Sequence, residues 1–520
     1  MSSIVINAKV IGLKRKMYGT ISSLALVGIE AKPIQIQVQI SPGLASFAIV
    51  GLADKSVHES QSRIKAALTS LGLALPPKRI TINLQPANQP KEGSHYDLPI
   101  ALGLMVAMGV IPSDSLSGYV CLGELGLDGY LASVSGVLPA AVMAKADHKG
   151  LICPEANGSE ARWVEGLEIL APAHLLQVVG CLKGQQSLDV PLRPTAAESE
   201  SFPDMRDVQG QTIARRALEV AAVGGHNMLM IGPPGAGKSM LAQRLAGILP
   251  PLSPEEALEV SMIQSVAGQL PDGVVSRVRP FRDPHHSTSM PAMIGGGAKA
   301  KPGEVSMAHC GVLFLDELPE FSRQVLESLR QPIETATVSV ARVNAHITYP
   351  ARFQLIAAMN PCRCGAAMDM EHYCAKFPRC AQDYQGKISG PLMDRLDIHL
   401  PVPKMTMREM LDKKPAEDSA TVRARVLEAR AFQRERMGDT ALISDNAHLA
   451  AHDLEKTVGL TTEAKEMLIK ISEKMQFSAR GYHRTLRLAR SIADLAVSDT
   501  VTKTHIAEAL NYRRVAPKTR

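Results

Sequence analysis

The sequence predicts a multidomain α/β protein: a mixed α+β region over 1–182, an α/β core with a parallel sheet over 208–403, and a helical region over 404–520. Three observations carry this. At 520 residues the chain is too long for one compact core, since domains typically run to roughly 100 to 200 residues. Strand and helix signals alternate through its middle, the pattern of a parallel sheet covered by helices. Beyond about Pro403 the strand signals stop and helical periodicity alone remains.

In the first region, Ile34–Ile40 (IQIQVQI) and Arg79–Leu84 (RITINL) alternate apolar and polar residues, as half-buried strands do, and Ser60–Leu71 is helical. The nearly apolar run Leu98–Ile111 is shorter than the roughly 20 residues a bilayer-spanning helix needs, so it predicts a buried helix. Met1–Lys16 carries Lys9, Lys14, Arg15 and Lys16 without the apolar stretch of a secretion signal, so a cytoplasmic, reducing location is expected. Residues 183–207 are rich in Pro, Ser, Gln and acidic groups and predict a linker. Next come a strand, glycine-rich loop and helix over Asn227–Leu249, and strands at Gly311–Leu315 and Gln354–Ala358. Helices are predicted at Ala420–Met437, Thr462–Met475 and Tyr482–Val497. The composition, 45% hydrophobic and 21% charged, is that of a globular protein, and a net charge of +6 permits an anionic partner without requiring one.

The strand Met228–Ile231 runs into Gly232, Pro233, Pro234, Gly235, Ala236, Gly237, Lys238 and Ser239, followed by a helix. This is G-x-x-x-x-G-K-S in the context the motif requires. Its glycines let consecutive amides face a phosphate chain, and the helix adds the positive end of its dipole. Lys238 is the candidate for the β and γ phosphates of ATP and Ser239 for Mg2+. About 75 residues downstream a second apolar strand ends in Asp316 and Glu317, the first suited to Mg2+ and the second to orienting the attacking water. Asn360 follows the third strand, Gln354–Met359, where it either positions that water or starts a turn before Pro361. Arg395 either completes a neighbouring subunit's site or pairs with Asp394 or Asp397. Arg480, Arg484 and Arg487 share one helical face, and Arg480 is the candidate γ-phosphate contact.

Four further segments, Arg279–His286 (RPFRDPHH), Pro302–His309 (PGEVSMAH), Tyr349–Phe353 (YPARF) and Gly390–His399, resemble the magnesium-chelatase-like AAA+ ATPases of the YifB/ComM family. The resemblance extends over essentially the whole chain. It implies an AAA+ P-loop NTPase core with a helical lid, Asn360 as sensor 1, Arg395 as arginine finger, Arg480 as sensor 2, and a homo-hexameric ring. ComM-type members are DNA helicases that promote branch migration during natural transformation, so a DNA-translocating motor is implied. The Gly-rich, basic insert Asp283–Lys301, with Lys299 and Lys301, and a hairpin at Thr337–Thr348, with Arg342 and Asn344 near its tip, would then face the central channel and grip phosphates without reading bases.

In the N-terminal region, Pro90–Pro99, Leu122–Gly129 and Ser135–Leu138 resemble the Lon-protease proteolytic domain. Lon-type catalysis needs a serine activated by a lysine. Here His95 and Leu138 stand at those two positions, with Ser94 one place early, so a proteolytically inactive Lon-like fold is expected. Finally, Cys362, Cys364, Cys374 and Cys380 fall in a C-x-C-x9-C-x5-C pattern just after Asn360. They are candidate Zn2+ ligands, with His372 as an alternate, or else reduced thiols. Cys121, Cys153, Cys181 and Cys310 are scattered and predict small core residues. Three functions follow from these features: a DNA motor first, a chelatase-type protein-remodelling ATPase second, and an ATP-dependent protease last.

Overall fold

The computed structural model describes residues 17–193, 202–270, 273–297, 300–341, 346–365, 374, 376–405, 416–438, 445–475 and 477–513. Among these it divides into two units, the first within Met1–Ala197, Ser261–Ser276 and Ala341–Ile347, the second within Glu198–Val260, Arg277–Val340 and Thr348–Arg520.

The first unit is built on strands β1 (Tyr18–Val27), β2 (Glu30–Ser41), β3 (Ser46–Val50), β4 (Arg79–Gln85) and β5 (Tyr119–Cys121), a small hairpin of β6 (Glu124–Leu125) and β7 (Leu131–Ala132), then β8 (Gly150–Ile152) and β9 (Ile169–Leu170). Its seven-stranded sheet has the order β3-β4-β2-β1-β5-β8-β9. The pairs β1/β2 and β2/β4 are antiparallel and the others parallel. Alternation fixes the register: Ile34, Ile36, Val38 and Ile40 on β2 are buried together with Ile80, Ile82 and Leu84 on β4, while the glutamines of β2 point away. The predicted apolar helix is present at Asp97–Ala107, and every residue of it is buried. Its first residue, Asp97, is fully buried and satisfied by Arg63, whose Nε and Nη2 donate to the two carboxylate oxygens at 2.6 and 3.0 Å.

The second unit carries β10 (Met228–Ile231), β11 (Phe281–Arg282), a hairpin of β12 (Gly295–Gly296) and β13 (Lys301–Pro302), β14 (Val312–Leu315), β17 (Gln354–Met359) and β18 (Ile398–Pro401), while the residues of a second hairpin, β15 (Thr337–Ala341) and β16 (His346–Pro350), are divided between the units. The main sheet has the order β11-β14-β17-β10-β18, and all four pairings are parallel. Strands β14 and β17 are buried at every residue, as strands covered on both faces must be. One core cluster joins this sheet to the helices Thr212–Gly224, Ser419–Met437 and Ala479–Leu495 through residues such as Phe314, Ile356, Val426 and Ile492. Polar groups inside it are paired: Arg490 bonds Asp494 at 2.9 Å with both side chains fully buried, and His226 Nε2 lies 2.8 Å from Ser491 Oγ.

The glycine-rich insert forms a short helix at Met290–Ile294 and the β12/β13 hairpin, and Thr337–Thr348 falls on the β15/β16 hairpin. Lys299, Arg342, Asn344 and His372 lie outside the described residues. At the end of the expected linker, Met205 is fully buried in the core cluster and its amide donates to Ser419 Oγ at 2.8 Å, so 205–207 packs rather than spans. No described helix is long and apolar enough to cross a membrane.

Candidate active site

The three central strands of the parallel sheet end at the same edge, and each delivers part of one cleft. Strand β10 leads into Gly232–Ser239, β14 into Asp316 and Glu317, and β17 into Asn360. Pro234, Gly235, Ala236, Gly237, Lys238, Ser239, Asp316, Glu317 and Asn360 line this cleft of about 410 Å3. Gly232 and Pro233 lead from β10 into it. A Cβ on Gly232 would lie 2.1 Å from the Val402 carbonyl oxygen, so only glycine lets the loop leave the sheet here.

Lys238, 8% exposed, donates to the carbonyls of Gly232 and Pro233 at 2.9 and 3.0 Å and to Asn360 Oδ1 at 3.1 Å. Burial pulls its pKa below the ordinary lysine value, partly offset by Asp316 and Glu317. Ser239 Oγ donates to Asp316 Oδ2 at 2.6 Å, so a hydroxyl and a carboxylate oxygen meet where a hard cation such as Mg2+ fits. The other Asp316 oxygen accepts from the Glu317 amide at 2.8 Å. Glu317 itself is a non-glycine residue at φ 52°, with its exposed carboxylate turned into the cleft. Strain of that kind persists where the surroundings over-determine it, most often at functional sites.

Two neighbours of this cleft carried no assigned chemistry in the sequence. His286 Nδ1 lies 3.5 Å from Glu317 Oε2. The Asp283 carboxyl is held above its usual range by burial and then by repulsion from Asp316. Both belong to the Arg279–His286 segment, whose conjunction of two histidines and an aspartate was the available signal.

Arg395 and Arg480 do not join the Lys238 cleft within one chain. They line a second cleft with Glu334, Asp394, Asp397, His483, Arg484 and Arg487, which shares no lining residue with the first. The expected ion partners of Arg395 are corrected: it pairs with Glu334 and donates to the Pro391 carbonyl at 2.6 Å, whereas Asp394 faces Arg484 at 3.3 Å and Asp397 faces His226 at 3.4 Å. Arg480, the candidate γ-phosphate contact, likewise does not line the Lys238 cleft. Of the three arginines on that helix face, Arg484 is buried and bonded to the Leu396 carbonyl, Arg487 donates to the Leu449 carbonyl at 2.6 Å, and Arg480 is exposed.

The sulfurs of Cys362, Cys364, Cys374 and Cys380 all lie within 4.8 Å of one another. A second trio that sequence spacing did not reveal, Glu259, His309 and Cys310, meets the same criterion. There the protein supplies the partners: His309 Nδ1 accepts from the Arg352 amide at 3.0 Å, so Nε2 carries the proton and donates to Glu259 at 3.0 Å.

In the first unit, the groups a Lon-type dyad would need are engaged elsewhere. Ser94 Oγ donates to Glu124, Lys145 Nζ to the Gly166 carbonyl at 2.9 Å, and Lys91 Nζ to the Pro86 carbonyl. His95 is buried, its Nε2 donating to the Leu24 carbonyl at 3.2 Å, and Leu138 is fully buried.

Residues 204–410 match the family described as magnesium chelatase, subunit ChlI; 36–157 match subunit ChlI of Mg-chelatase, and 416–513 its C-terminal region. Along nearly its whole length the chain is similar to curated proteins. It is 42% identical over 499 residues to the uncharacterized protein YifB of Salmonella typhimurium, covering 94% of this chain and 96% of that protein. It is 41% identical over 501 residues to the competence protein ComM of Haemophilus influenzae, with the same two coverages. An uncharacterized protein of Mycobacterium tuberculosis matches at 39% over 503 residues, 96% of this chain and 99% of the other.

Proposed function

Because the chain belongs to the YifB/ComM family of magnesium-chelatase-like AAA+ ATPases, we propose that it is an ATP-driven hexameric ring motor acting on single-stranded or branched DNA in the cytoplasm, with branch migration of incoming DNA during natural transformation as its task. One observation carries the ATPase part: Lys238, Ser239, Asp316, Glu317 and Asn360 converge on one cleft at the ends of three adjacent parallel strands. In this reading the amides of 232–239 hold the triphosphate and Lys238 neutralises its β and γ oxygens. Ser239 and Asp316 hold Mg2+, which supplies charge neutralisation at the phosphates. Glu317 orients the attacking water, and Asn360 fixes it from the other side. Arg395 serves as finger on the nucleotide of the adjoining subunit, which its place outside its own chain's Lys238 cleft favours, and Arg480 as the sensor that reaches the γ phosphate from the lid.

The DNA part draws support from the competence protein among the relatives and from the two inserts, each of which carries a hairpin suited to a ring channel. Residues 1–182 form a Lon-like domain without proteolysis, 183–207 a linker whose last residues, 205–207, pack on the core, 208–403 the AAA+ core and 404–520 the lid. The cysteine quartet is assigned to structural Zn2+. The match of 204–410 to a magnesium chelatase subunit favours one second reading, a protein-remodelling ATPase of the chelatase kind.

The test is ATP turnover of the full chain with and without single-stranded and forked DNA at low and moderate salt, alongside strand displacement. DNA should stimulate turnover, less so as salt rises because phosphate contacts are screened. Lys238→Ala should lose ATP binding, and Glu317→Gln should bind ATP without unwinding DNA. Turnover indifferent to every DNA in both salts would favour the remodelling reading.

A further inference from the structure

Beyond β17, which ends at Met359, the chain runs through Asn360 and Pro361 directly into Cys362 and Cys364. The Cys362 and Cys364 sulfurs are 3.1 Å apart, well beyond the roughly 2.05 Å of a disulfide. All four sulfurs lie within 4.8 Å of one another, and a tetrahedral site with Zn–S bonds of about 2.3 Å places its sulfurs about 3.8 Å apart. Among the described residues its local core consists of Cys362, Cys374 and Ala381, with Cys380 against them. Among the described residues no large side chain joins this cluster, so the hydrophobic burial it shows is small, as in domains that gain their order from metal.

What that loop touches gives the metal a consequence. Gly365 donates its amide to the Cys362 carbonyl at 3.0 Å and sits at φ +79°. A Cβ there would lie 2.7 Å from Pro234 Cδ, so the turn of the quartet abuts the phosphate loop itself. On the other side, Gln385 donates to the Pro361 carbonyl at 2.9 Å from the same helix, Arg379–Gln385, that bears Cys380. Asn360, bonded to Lys238 at 3.1 Å, is therefore clamped between the sulfurs, this helix and the phosphate loop.

We propose that Cys362, Cys364, Cys374 and Cys380 bind one Zn2+ whose role is to brace Asn360 against the phosphate loop, so that metal occupancy sets the rate of ATP hydrolysis. The brace rests on the ATPase reading above, whereas the metal does not. A set of four sulfurs suits Zn2+ or an iron–sulfur centre, and sulfurs all within 4.8 Å of one another leave room for a single ion rather than a cluster, which favours the former. Asn360 acts here as a residue positioned through its neighbours: losing the metal lets it drift, and a misplacement of about 1 Å costs about a hundredfold in rate.

The experiment is elemental analysis of the purified full chain, combined with kcat and affinity for a fluorescent ATP analogue before and after treatment with a zinc-selective chelator. About one zinc per chain is expected. Stripping it should lower kcat by about tenfold to a hundredfold, with a far smaller change in analogue affinity, and added Zn2+ but not extra Mg2+ should restore turnover. Gly365→Val, which touches no sulfur, should keep its zinc yet lose turnover to a similar extent, while Cys181→Ser should change neither. Absence of zinc, iron in its place, turnover that survives stripping, or a fully active Gly365→Val would each overturn the proposal. Zinc-loaded wild type that neither binds nor cleaves ATP would instead defeat the ATPase reading and leave the metal site standing.

Discussion

Acid should destabilise the first unit through one side chain, His95. Its ring is buried and its pKa is depressed from 6.5 to about 4, first by desolvation, with the bond to the Leu24 carbonyl and the charge of Asp54 opposing the shift. Between those two values the unfolded chain binds a proton that the folded chain refuses, so stability falls as pH falls. Above 6.5 neither state is protonated there and the effect vanishes; below about 4 both are and the loss is complete. At 1.36 kcal/mol per pKa unit, a difference of about 2.5 units costs about 3 kcal/mol. Carboxylates titrate in the same range, so the informative quantity is the difference between wild type and His95→Gln, which keeps an N–H for the Leu24 carbonyl but has no proton to gain. The chain's single tryptophan, Trp163, lies in this unit with its indole N–H on the Gly273 carbonyl at 2.7 Å. Urea unfolding of the full chain followed by its fluorescence therefore reports on this unit. The two curves should converge above pH 6.5 and separate by about 3 kcal/mol near pH 4. Curves that stay parallel across the range would refute the buried, neutral imidazole, and with it the account of why this position serves packing rather than nucleophilic catalysis.

Arg480→Ala should leave thermal unfolding unchanged, because the side chain is exposed, while lowering ATP turnover by about a hundredfold to a thousandfold if it stabilises charge developing at the γ phosphate; a turnover within a factor of two of wild type would remove it from the site. Asp494→Ala strips the carboxylate from Arg490 and Arg436 at 2.9 and 3.2 Å, leaving a fully buried guanidinium uncompensated. It should cost about 3 to 5 kcal/mol in calorimetric unfolding of the second unit. A loss below about 1 kcal/mol would mean that water replaces the carboxylate.

What the sequence made legible was local. The phosphate loop, its flanking strand and helix, and the Asp316–Glu317 strand end are runs of adjacent residues whose glycine pattern and apolar runs speak for themselves, and Gly232–Ser239 meets Asp316, Glu317 and Asn360 in one cleft. The β2 alternation likewise predicted which face would be buried. Relations set by tertiary packing were not legible. Arg480 is readable as one of three arginines on a helix face, but which cleft it lines depends on how the helix Ala479–Leu495 packs against Thr212–Gly224. Arg395 has two aspartates within two residues of it in sequence, yet pairs with Glu334 because the turn at Gly390–Met393 directs it away from them. The bond between His226 and Ser491 joins residues 265 apart, and no local pattern announces it. His286 and Asp283 were visible only as part of a motif, and their chemistry emerged with the approach to Glu317 and Asp316.

The central claim is that each ATP site is shared, with the phosphate loop from one subunit and Arg395 from the next. The most direct test is the ATP turnover of an equal mixture of Lys238→Ala and Arg395→Ala chains, allowed to exchange subunits. Each variant alone should be nearly inactive. In a random mixed ring about a quarter of the interfaces join an intact loop to an intact arginine, so turnover should recover to about a quarter of the wild-type value. A mixture as inactive as its components, despite demonstrated subunit exchange, would contradict a site completed by the neighbour.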